Sequence, residues 1–166
     1  MGFVFQQMYM LKKLCIFDNI ILPGYQANKK NKKEVNDRAR KLMQNLGIDD
    51  VAKNEIFEVS GGQLQRACIC RALINSPKIL FADEPTGALN SKASAEVMNE
   101  LRKANGEGMT ILMVTHSEKV AASSERVIFL VDGNIKGELK LGRQKDESEN
   151  TIRERKLKNW LDEMGW

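Results

Sequence analysis

The tetrapeptide Ser60-Gly61-Gly62-Gln63 stands at the head of an amphipathic segment and combines a helix-capping pair with two glycines. Ser60 and Gln63 have the spacing of a capping box, in which each side chain accepts a hydrogen bond from the backbone N–H of the other residue. Capping does not explain the glycines, because glycine inside a helix costs up to about 1 kcal/mol relative to alanine. Unpaired N–H groups at a helix start attract anions, and a missing β-carbon lets a phosphate come close. Both a simple cap and a phosphate-binding helix tip fit this tetrapeptide.

Two acids, Asp83 and Glu84, end a short apolar segment that begins at Lys78. Such a segment is typical of a buried strand in a parallel sheet, and ligands of open α/β sheets bind at the carboxyl ends of the strands. At that place Asp83 would hold Mg²⁺, and Glu84 would orient an attacking water or accept its proton. An acidic turn that caps the next helix is the structural alternative.

The only histidine of the chain, His116, follows a second segment of this kind, Met109 to Thr115. If both segments are strands of one sheet, His116 lies at the same edge as the two acids. It would then donate a hydrogen bond to a terminal phosphate. A histidine with a purely structural role is the alternative.

The order of these motifs resembles the signature, Walker B, D-loop and H-loop of the ATPase domain of ABC transporters. The resemblance makes Ser60 to Gln63 the signature, Asp83 the Mg²⁺ ligand, Glu84 the catalytic carboxylate and His116 the residue of the H-loop. The D-loop would contain Ala88, Leu89 and Asn90. Asn90 stands where the family usually has an aspartate, so the shape of that side chain is kept and its charge is lost.

The first residues of the chain resemble the strand that leads into the Q-loop of the same family. This likeness rests on Gly2-Phe3-Val4-Phe5-Gln6 and makes Gln6 the residue that senses Mg²⁺ and the attacking water. Gln7 is the second candidate for that role.

The resemblance runs from the first residue to about Gly142. Three stretches are most similar to the ATPases of bacterial bacitracin-type peptide exporters and of the macrolide and lipoprotein-release branch, namely Ala67 to Asn75, Gly87 to Ala95 and Gly133 to Leu141. The implied fold class is α/β, a P-loop NTPase-like ABC ATPase domain with a parallel sheet, flanking helices and a helical subdomain. The implied domains are a partial ATPase domain over 1–142, with the helical signature subdomain at about 17–75, and a polar linker with a C-terminal helix over 143–166.

One motif of the family does not occur in the 166 residues: the G-x-x-x-x-G-K-[ST] loop that grips the β and γ phosphates. In the family this loop, Walker A, precedes the Q-loop. The sequence is therefore expected to be an ATPase domain that lacks its N-terminal part, and to hydrolyse ATP poorly or not at all by itself.

The resemblance also implies cofactors and partners. Two ATPase domains sandwich two ATP molecules with Mg²⁺, and each site takes its signature from the opposite chain. Gln6, Asp83, Glu84 and His116 would serve the site of their own chain, and the signature would serve the other one. A homodimeric or heterodimeric partner domain and a transmembrane permease subunit are the implied partners.

Composition agrees with a domain of this kind. The net charge of +4 is concentrated in a basic run at residues 29–33, which predicts a solvated loop. Nucleic acid is not an expected partner, because no stacking aromatic residues or recognition motif accompany the run. No apolar stretch has the length of a membrane span, and an odd number of cysteines predicts reduced, mostly buried thiols. The expected location is cytoplasmic, on the inner face of the membrane through the permease.

Local patterns predict the remaining elements. Apolar spacing predicts a signature helix over about 61–75 that stops before Pro77 and a helix over about 92–104. Within a mostly helical segment from about Phe17 to Val59, it also predicts a helix that ends at Gly47 and has one apolar face, made of Val35, Ala39, Leu42, Met43 and Leu46. The pair Asp132-Gly133 predicts a hairpin turn between strands at 126–131 and 134–140. A last short helix is striped by Leu157, Trp160, Leu161 and Met164, and we expect it to pack on its own domain.

Two functions stay open at this point. The first is an ATP-hydrolysing subunit that energises an exporter of, or resistance to, a peptide or drug. The alternative is a truncated remnant or regulatory module, without catalysis, that pairs with an intact ATPase domain.

Overall fold

A computed structural model describes residues 1–27, 31–144 and 146–165 of the chain. The described residues form two compact units, residues 1–114 and residues 115–166. Of the basic run predicted as a loop, residues 29 and 30 lie outside the described ranges, and Lys32 and Lys33 already belong to a helix. The domain boundary predicted at residue 142 stays a prediction.

The first unit contains a three-stranded parallel sheet in the order β1-β2-β3. The strands are β1 at Gly2–Val4, β2 at Ile79–Asp83 and β3 at Thr110–Val114. Val4 pairs with Ala82, and Asp83 pairs with Val114. The two apolar segments predicted as neighbouring parallel strands are therefore confirmed, and their carboxyl ends lie at one edge of the sheet.

The two faces of this sheet differ in burial. Successive side chains of a strand point to opposite faces. Val4, Leu80 and Ala82 lie on the face that joins the helical core and are at most 3% exposed. Leu112 and Val114, on the other face, are 54% and 58% exposed. The helices of the first unit pack on one face of these strands.

That second face also carries stacked aromatic rings. The rings of Phe3 and Phe81 lie 5.3 Å apart and nearly parallel, and those of Phe3 and Phe5 lie 5.8 Å apart. Phe3 and Phe5 are about half exposed. The exposed face is thus apolar along all three strands.

Four helices complete the first unit: α1 at Ile16–Ala27, α2 at Lys32–Asn45, α3 at Gly61–Leu73 and α4 at Ser91–Gly106. A short 3-10 helix spans Asp49–Val51. The face predicted to be buried on α2 is confirmed, with Val35, Ala39, Leu42, Met43 and Leu46 all in the core.

The ends of these helices follow from their local sequence. Gly47 adopts a positive φ of 57° after α2, a conformation that costs glycine little. The chain leaves the helical conformation before Pro77, and Ser76 has a positive φ of 44°. α3 consequently ends at Leu73, two residues before the predicted end.

The second unit contains a hairpin and two helices. β4 at Arg126–Val131 and β5 at Asn134–Lys140 are antiparallel, with the predicted bounds. Asp132 and Gly133 both have positive φ, 49° and 74°, as the two central residues of a type I′ hairpin turn require. The helices are α5 at Glu118–Ala122 and α6 at Asn150–Met164.

Helix α6 packs within its own unit, as expected. Leu157 and Leu161 are buried with Ala122, and the ring of Trp160 meets Phe129 edge to face. Gly137 makes room for this helix, because a Cβ there would lie 2.8 Å from Trp160.

One arginine connects α6 to two other segments of the second unit. The guanidinium of Arg153 is buried and donates hydrogen bonds to four backbone carbonyl oxygens. They are Ala122 O at 2.8 Å, Ser124 O at 2.8 Å, Leu141 O at 3.1 Å and Gly142 O at 3.1 Å. The end of α5 and the chain after β5 are thereby held to α6.

All three cysteines are free thiols, as predicted. Cys68 and Cys70 are buried in α3, and Cys15 is half-buried. Burial raises the pKa of the Cys68 thiol to about 11 and also raises the pKa of Cys70. Both thiols therefore stay protonated at neutral pH, the unreactive form of cysteine.

Candidate functional site

Three predicted site residues lie at the same edge of the parallel sheet. Asp83 is the last residue of β2, and Glu84 follows it. Gln6 lies two residues after the end of β1, the strand whose Val4 pairs with Ala82. The first unit therefore brings Gln6, Asp83 and Glu84 to the carboxyl ends of neighbouring strands, where α/β sheets bind ligands.

The backbone of Glu84 is in the left-handed region, with φ at +45°. This conformation costs a residue with a side chain about 1–3 kcal/mol and persists only where the surroundings hold it. Three hydrogen bonds do so: Glu84 N donates to Val114 O at 3.0 Å, and Glu84 O accepts from Gly87 N at 3.1 Å and from the side chain of Gln65 at 2.8 Å. The acid predicted as catalytic is thus on a tightly held turn.

The predicted signature forms the N-terminal tip of α3. Ser60 Oγ accepts from Gln63 N at 3.2 Å, and Gln63 Oε1 accepts from Ser60 N at 2.9 Å, so the capping box is confirmed. The N–H groups of Gly61 and Gly62 belong to the first turn, which has no acceptor within the helix. They point along the positive end of the helix dipole.

The two glycines of this tip differ in what surrounds them. A Cβ on Gly62 would lie 3.3 Å from the Leu89 side chain and 3.5 Å from Ala88 O, so packing within the chain accounts for part of this glycine. A Cβ on Gly61 would meet no atom within 4 Å, and its φ is not positive. Neither packing nor backbone conformation within the chain requires glycine at position 61.

The predicted D-loop residues connect this tip to the next helix. Ala88 N donates to Gln65 Oε1 at 3.0 Å, and Leu89 touches the tip at Gly62. Asn90 is the N-cap of α4, with its Oδ1 accepting from Ala93 N at 2.9 Å. Because asparagine and aspartate cap helices equally well, the replacement noted in the sequence preserves the start of α4.

The segment after Gln6 is held by α3. Arg71 Nη1 donates to Tyr9 O at 2.8 Å, and Cys68 Sγ donates to Met8 O at 3.0 Å. Gln7 Oε1 accepts from the Tyr9 hydroxyl at 2.8 Å, and the side chains of Gln6 and Gln7 are both exposed. The role predicted for Gln6 stays a prediction.

His116 belongs to the second unit, two residues after the end of β3. Its side chain is exposed. The next residue, Ser117, caps α5 by accepting from Val120 N at 3.3 Å. The predicted convergence of His116 with the two acids stays a prediction.

The donors at the sheet edge fit a magnesium ion. Mg²⁺ is usually held by one or two carboxylates, with the remaining ligands supplied by water and substrate phosphate. Asp83 offers an exposed carboxylate, and Gln6 an exposed amide oxygen. Among the described residues, no group of three or more His, Cys, Asp and Glu side chains could hold a metal ion. Within the same ranges, no helix is both long enough and apolar enough to cross a bilayer.

Gln65, Cys68 and Arg71 hold the two loops of the site, a role that was not predicted from the sequence. They are spaced three residues apart on α3, and their side-chain atoms reach backbone atoms 19 to 63 residues away in the chain. A polar residue on the buried face of an amphipathic helix is a usable signal for Gln65. The partners of all three depend on the tertiary fold and cannot be read from local patterns.

Comparison with known proteins agrees with this geometry. The family model described as ABC transporter matches residues 1–87, just over half of the chain. The macrolide export ATP-binding/permease protein MacB of Mannheimia succiniciproducens is 42% identical over 151 residues, which cover 91% of this chain and 23% of that protein. The probable syringafactin export ATP-binding/permease protein SyfD of Pseudomonas syringae pv. syringae is 44% identical over 134 residues, or 81% of this chain and 20% of that protein.

A solved structure gives the same result for the fold. The ATP-binding cassette MJ0796, in a dimeric post-hydrolysis state with ADP and Pi, superposes with a TM-score of 0.78 at 36% identity. The match covers 84% of this chain and 62% of that one.

The chain therefore belongs to the ABC transporter family and corresponds to part of its ATP-binding domain. It spans about a quarter of the length of the macrolide exporters that it matches. The α/β fold class predicted from the motifs is confirmed, as is the likeness to the macrolide-export branch.

Proposed function

We propose that this chain is an ATPase module of an ABC exporter for peptide or drug substrates, and that it works as one half of an ATPase dimer attached to a membrane permease. Its relatives are named as export ATP-binding/permease proteins, and the solved cassette that it resembles is a dimer. The module would lie on the cytoplasmic face of the membrane, held there by the permease.

The proposed residues of the chain's own half-site are those at the sheet edge. Asp83 and Gln6 hold Mg²⁺, which would neutralise phosphate charge when bound. Glu84 orients the attacking water and takes its proton. His116 donates a hydrogen bond to the terminal phosphate.

The opposite nucleotide would be bound by the tip of α3. The first-turn N–H groups of Gly61 and Gly62 and the helix dipole attract a phosphate. Ser60 and Gln63 keep the tip in shape through the capping box. Ala88, Leu89 and Asn90 follow the turn next to this tip. A movement of the tip would be transmitted through them to the neighbouring half-site.

The observation that carries the proposal is the free space at Gly61. A Cβ there would meet no atom of the chain within 4 Å, although alanine is the better helix former. A glycine that its own chain does not require is explained by a ligand that needs the bare backbone. A phosphate at the helix start is such a ligand.

A polypeptide made of these 166 residues is expected to hydrolyse ATP poorly or not at all by itself. It contains no G-x-x-x-x-G-K-[ST] motif, and so no P-loop lysine for the β and γ phosphates. The measurement is steady-state phosphate release from the purified chain with Mg²⁺ and ATP. Turnover of about 1 s⁻¹ or more, within the range of ordinary enzymes, would contradict this expectation.

The chain is expected to restore turnover to a partner that lacks only a working signature. The partner is the MJ0796 cassette with its own signature disabled and its P-loop intact, so that its homodimer is inactive. Adding this chain supplies a signature in trans and completes one composite site. Phosphate release that depends on the concentration of both proteins is the expected result.

Two capping variants test whether this restoration passes through the tip. Ser60→Ala removes the cap that shapes the proposed phosphate-binding tip, and we expect it to lower the restored turnover. Asn31→Ala removes the matching cap of α2, where Asn31 accepts from Glu34 N at 3.1 Å, and should leave turnover unchanged. Each change costs about 1 kcal/mol of helix stability, so stability alone would affect both alike. Equal turnover in the two variants would exclude the proposed role of Ser60.

A second candidate is a regulatory module without catalysis of its own, favoured by the sequence that lacks a P-loop motif. The two candidates differ in one respect. A regulatory module changes the turnover of an intact partner cassette, whereas an energising subunit also restores the signature-deficient one.

A further inference from the structure

Gln65 is a buried amide near the start of α3, and both ends of its side chain are hydrogen-bonded. It is 3% exposed. Its Nε2 donates to Glu84 O at 2.8 Å, and its Oε1 accepts from Ala88 N at 3.0 Å. One partner is a carbonyl and the other an N–H, so a single orientation of the amide satisfies both.

The two partners of Gln65 flank one tight turn, because Glu84 is its first residue and Ala88 directly follows its last. Glu84 begins the turn with a left-handed backbone, and Gly87 N closes it by donating to Glu84 O at 3.1 Å. Val114 O holds the other side of Glu84 from β3. Gln65 is the side chain that fixes this turn from α3, the helix that carries the signature.

The tip of α3 also lies close to the residues that follow this turn. Gly62 packs closely enough that a Cβ would lie 3.5 Å from Ala88 O and 3.3 Å from Leu89. Protein interiors are densely packed, so a displacement of one group is transmitted to the groups that it contacts. The tip, Gln65 and the turn therefore form one contiguous set of contacts.

We propose that Gln65 is a positioning residue that ties the signature helix to the turn of Glu84 and Ala88. This inference rests on the proposed function of those segments. When the tip of α3 meets a phosphate of the opposite nucleotide, Gln65 moves the carbonyl of Glu84 and the amide of Ala88 with the helix. Occupancy of one composite site is thereby reported to the carboxylate of the other.

Two variants of Gln65 separate its hydrogen bonds from its volume. Gln65→Met keeps the length of the side chain and removes both bonds. Gln65→Glu keeps the acceptor for Ala88 N and removes the donor to Glu84 O. Ile69→Val is the control, because Ile69 is fully buried on the same helix and its loss of one methylene destabilises without touching the turn.

Amide hydrogen exchange of the chain tests the contact itself. In Gln65→Met the N–H of Ala88 should exchange roughly tenfold faster, the factor expected for one lost hydrogen bond. In Gln65→Glu and Ile69→Val its protection should stay close to that of the unchanged chain. Unchanged exchange of Ala88 in Gln65→Met would overturn the proposal.

Turnover of the complemented dimer tests the consequence. Gln65→Met should lower kcat about five- to tenfold and change KM for ATP less than twofold, because ATP is gripped mainly by the P-loop of the partner. Ile69→Val should keep kcat, and Gln65→Glu should fall between the two. Equal kcat in Gln65→Met and Ile69→Val would overturn the coupling. Failure of the unchanged chain to restore turnover would instead contradict the proposed function, while hydrogen exchange would still decide the role of Gln65.

Discussion

Gly61→Ala is expected to lower the turnover of the complemented dimer at least tenfold while leaving the chain as stable as before or up to about 1 kcal/mol more stable. The added methyl meets no atom within 4 Å in the chain, and alanine is favoured over glycine in a helix. The same methyl occupies the space through which a phosphate approaches the first-turn N–H groups. Stability is measured by denaturant unfolding, and turnover by phosphate release.

The matched control for this change is Gly106→Ala. Gly106 is an exposed glycine in the last turn of α4, so alanine there improves helix propensity without a proposed ligand. It should give a similar change in stability and no change in turnover. Full turnover in Gly61→Ala would show that no ligand needs the bare backbone at the tip, and the phosphate-binding role of the signature would have to be abandoned.

Arg153→Met is expected to lower the free energy of unfolding of the second unit by about 3 kcal/mol or more. Removing the guanidinium leaves four backbone carbonyls without this donor, and hydrogen bonds to a charged group make a net contribution of about 1.5–3 kcal/mol each. Denaturant unfolding followed by tryptophan fluorescence measures this, because both tryptophans of the chain lie in residues 115–166.

Arg155→Met is the control for the loss of a charge and a long side chain from the same helix. Arg155 lies two residues further along α6 and is exposed, so its replacement should change stability by less than about 0.5 kcal/mol. Arg153→Lys retains one positive charge and should fall between the two. If Arg153→Met unfolds at the same denaturant concentration as Arg155→Met, the four hydrogen bonds contribute little.

Much of the fold could be predicted because its signals are local. The turn pair Asp132-Gly133 fixes the hairpin, and its two positive φ angles are the reason that this dipeptide is favoured there. The capping box at Ser60 fixes the start of α3. Apolar spacing identified the buried face of α2, and apolar continuity identified the strands.

What could not be predicted depends on contacts between distant segments. Both faces of β3 are largely apolar in sequence, so the face that the helices of the first unit cover had no local signal. The partners of Gln65 and Arg153 are 19 to 31 residues away in the chain for most of their hydrogen bonds. A sequence pattern can single out a residue, whereas the tertiary fold determines which backbone atoms its side chain contacts.

The candidate site likewise has one part that could be predicted from the sequence and one part that could not. The order of strands placed Asp83, Glu84 and Gln6 at one edge, because parallel strands end together. The roles of these residues, and the approach of His116 to them, depend on nucleotides and on a second domain. They stay predictions for the complemented dimer.

At Glu84, the backbone conformation of the turn and the proposed chemistry of the side chain favour different residues. Glycine would adopt that conformation without penalty, so the residue that best suits the turn has no carboxylate, and the residue that carries the carboxylate strains the turn. Selection for thermal stability alone would therefore favour glycine at position 84, and the carboxylate would be lost. Given the catalytic role proposed for Glu84, this residue exchanges stability for activity at one backbone position.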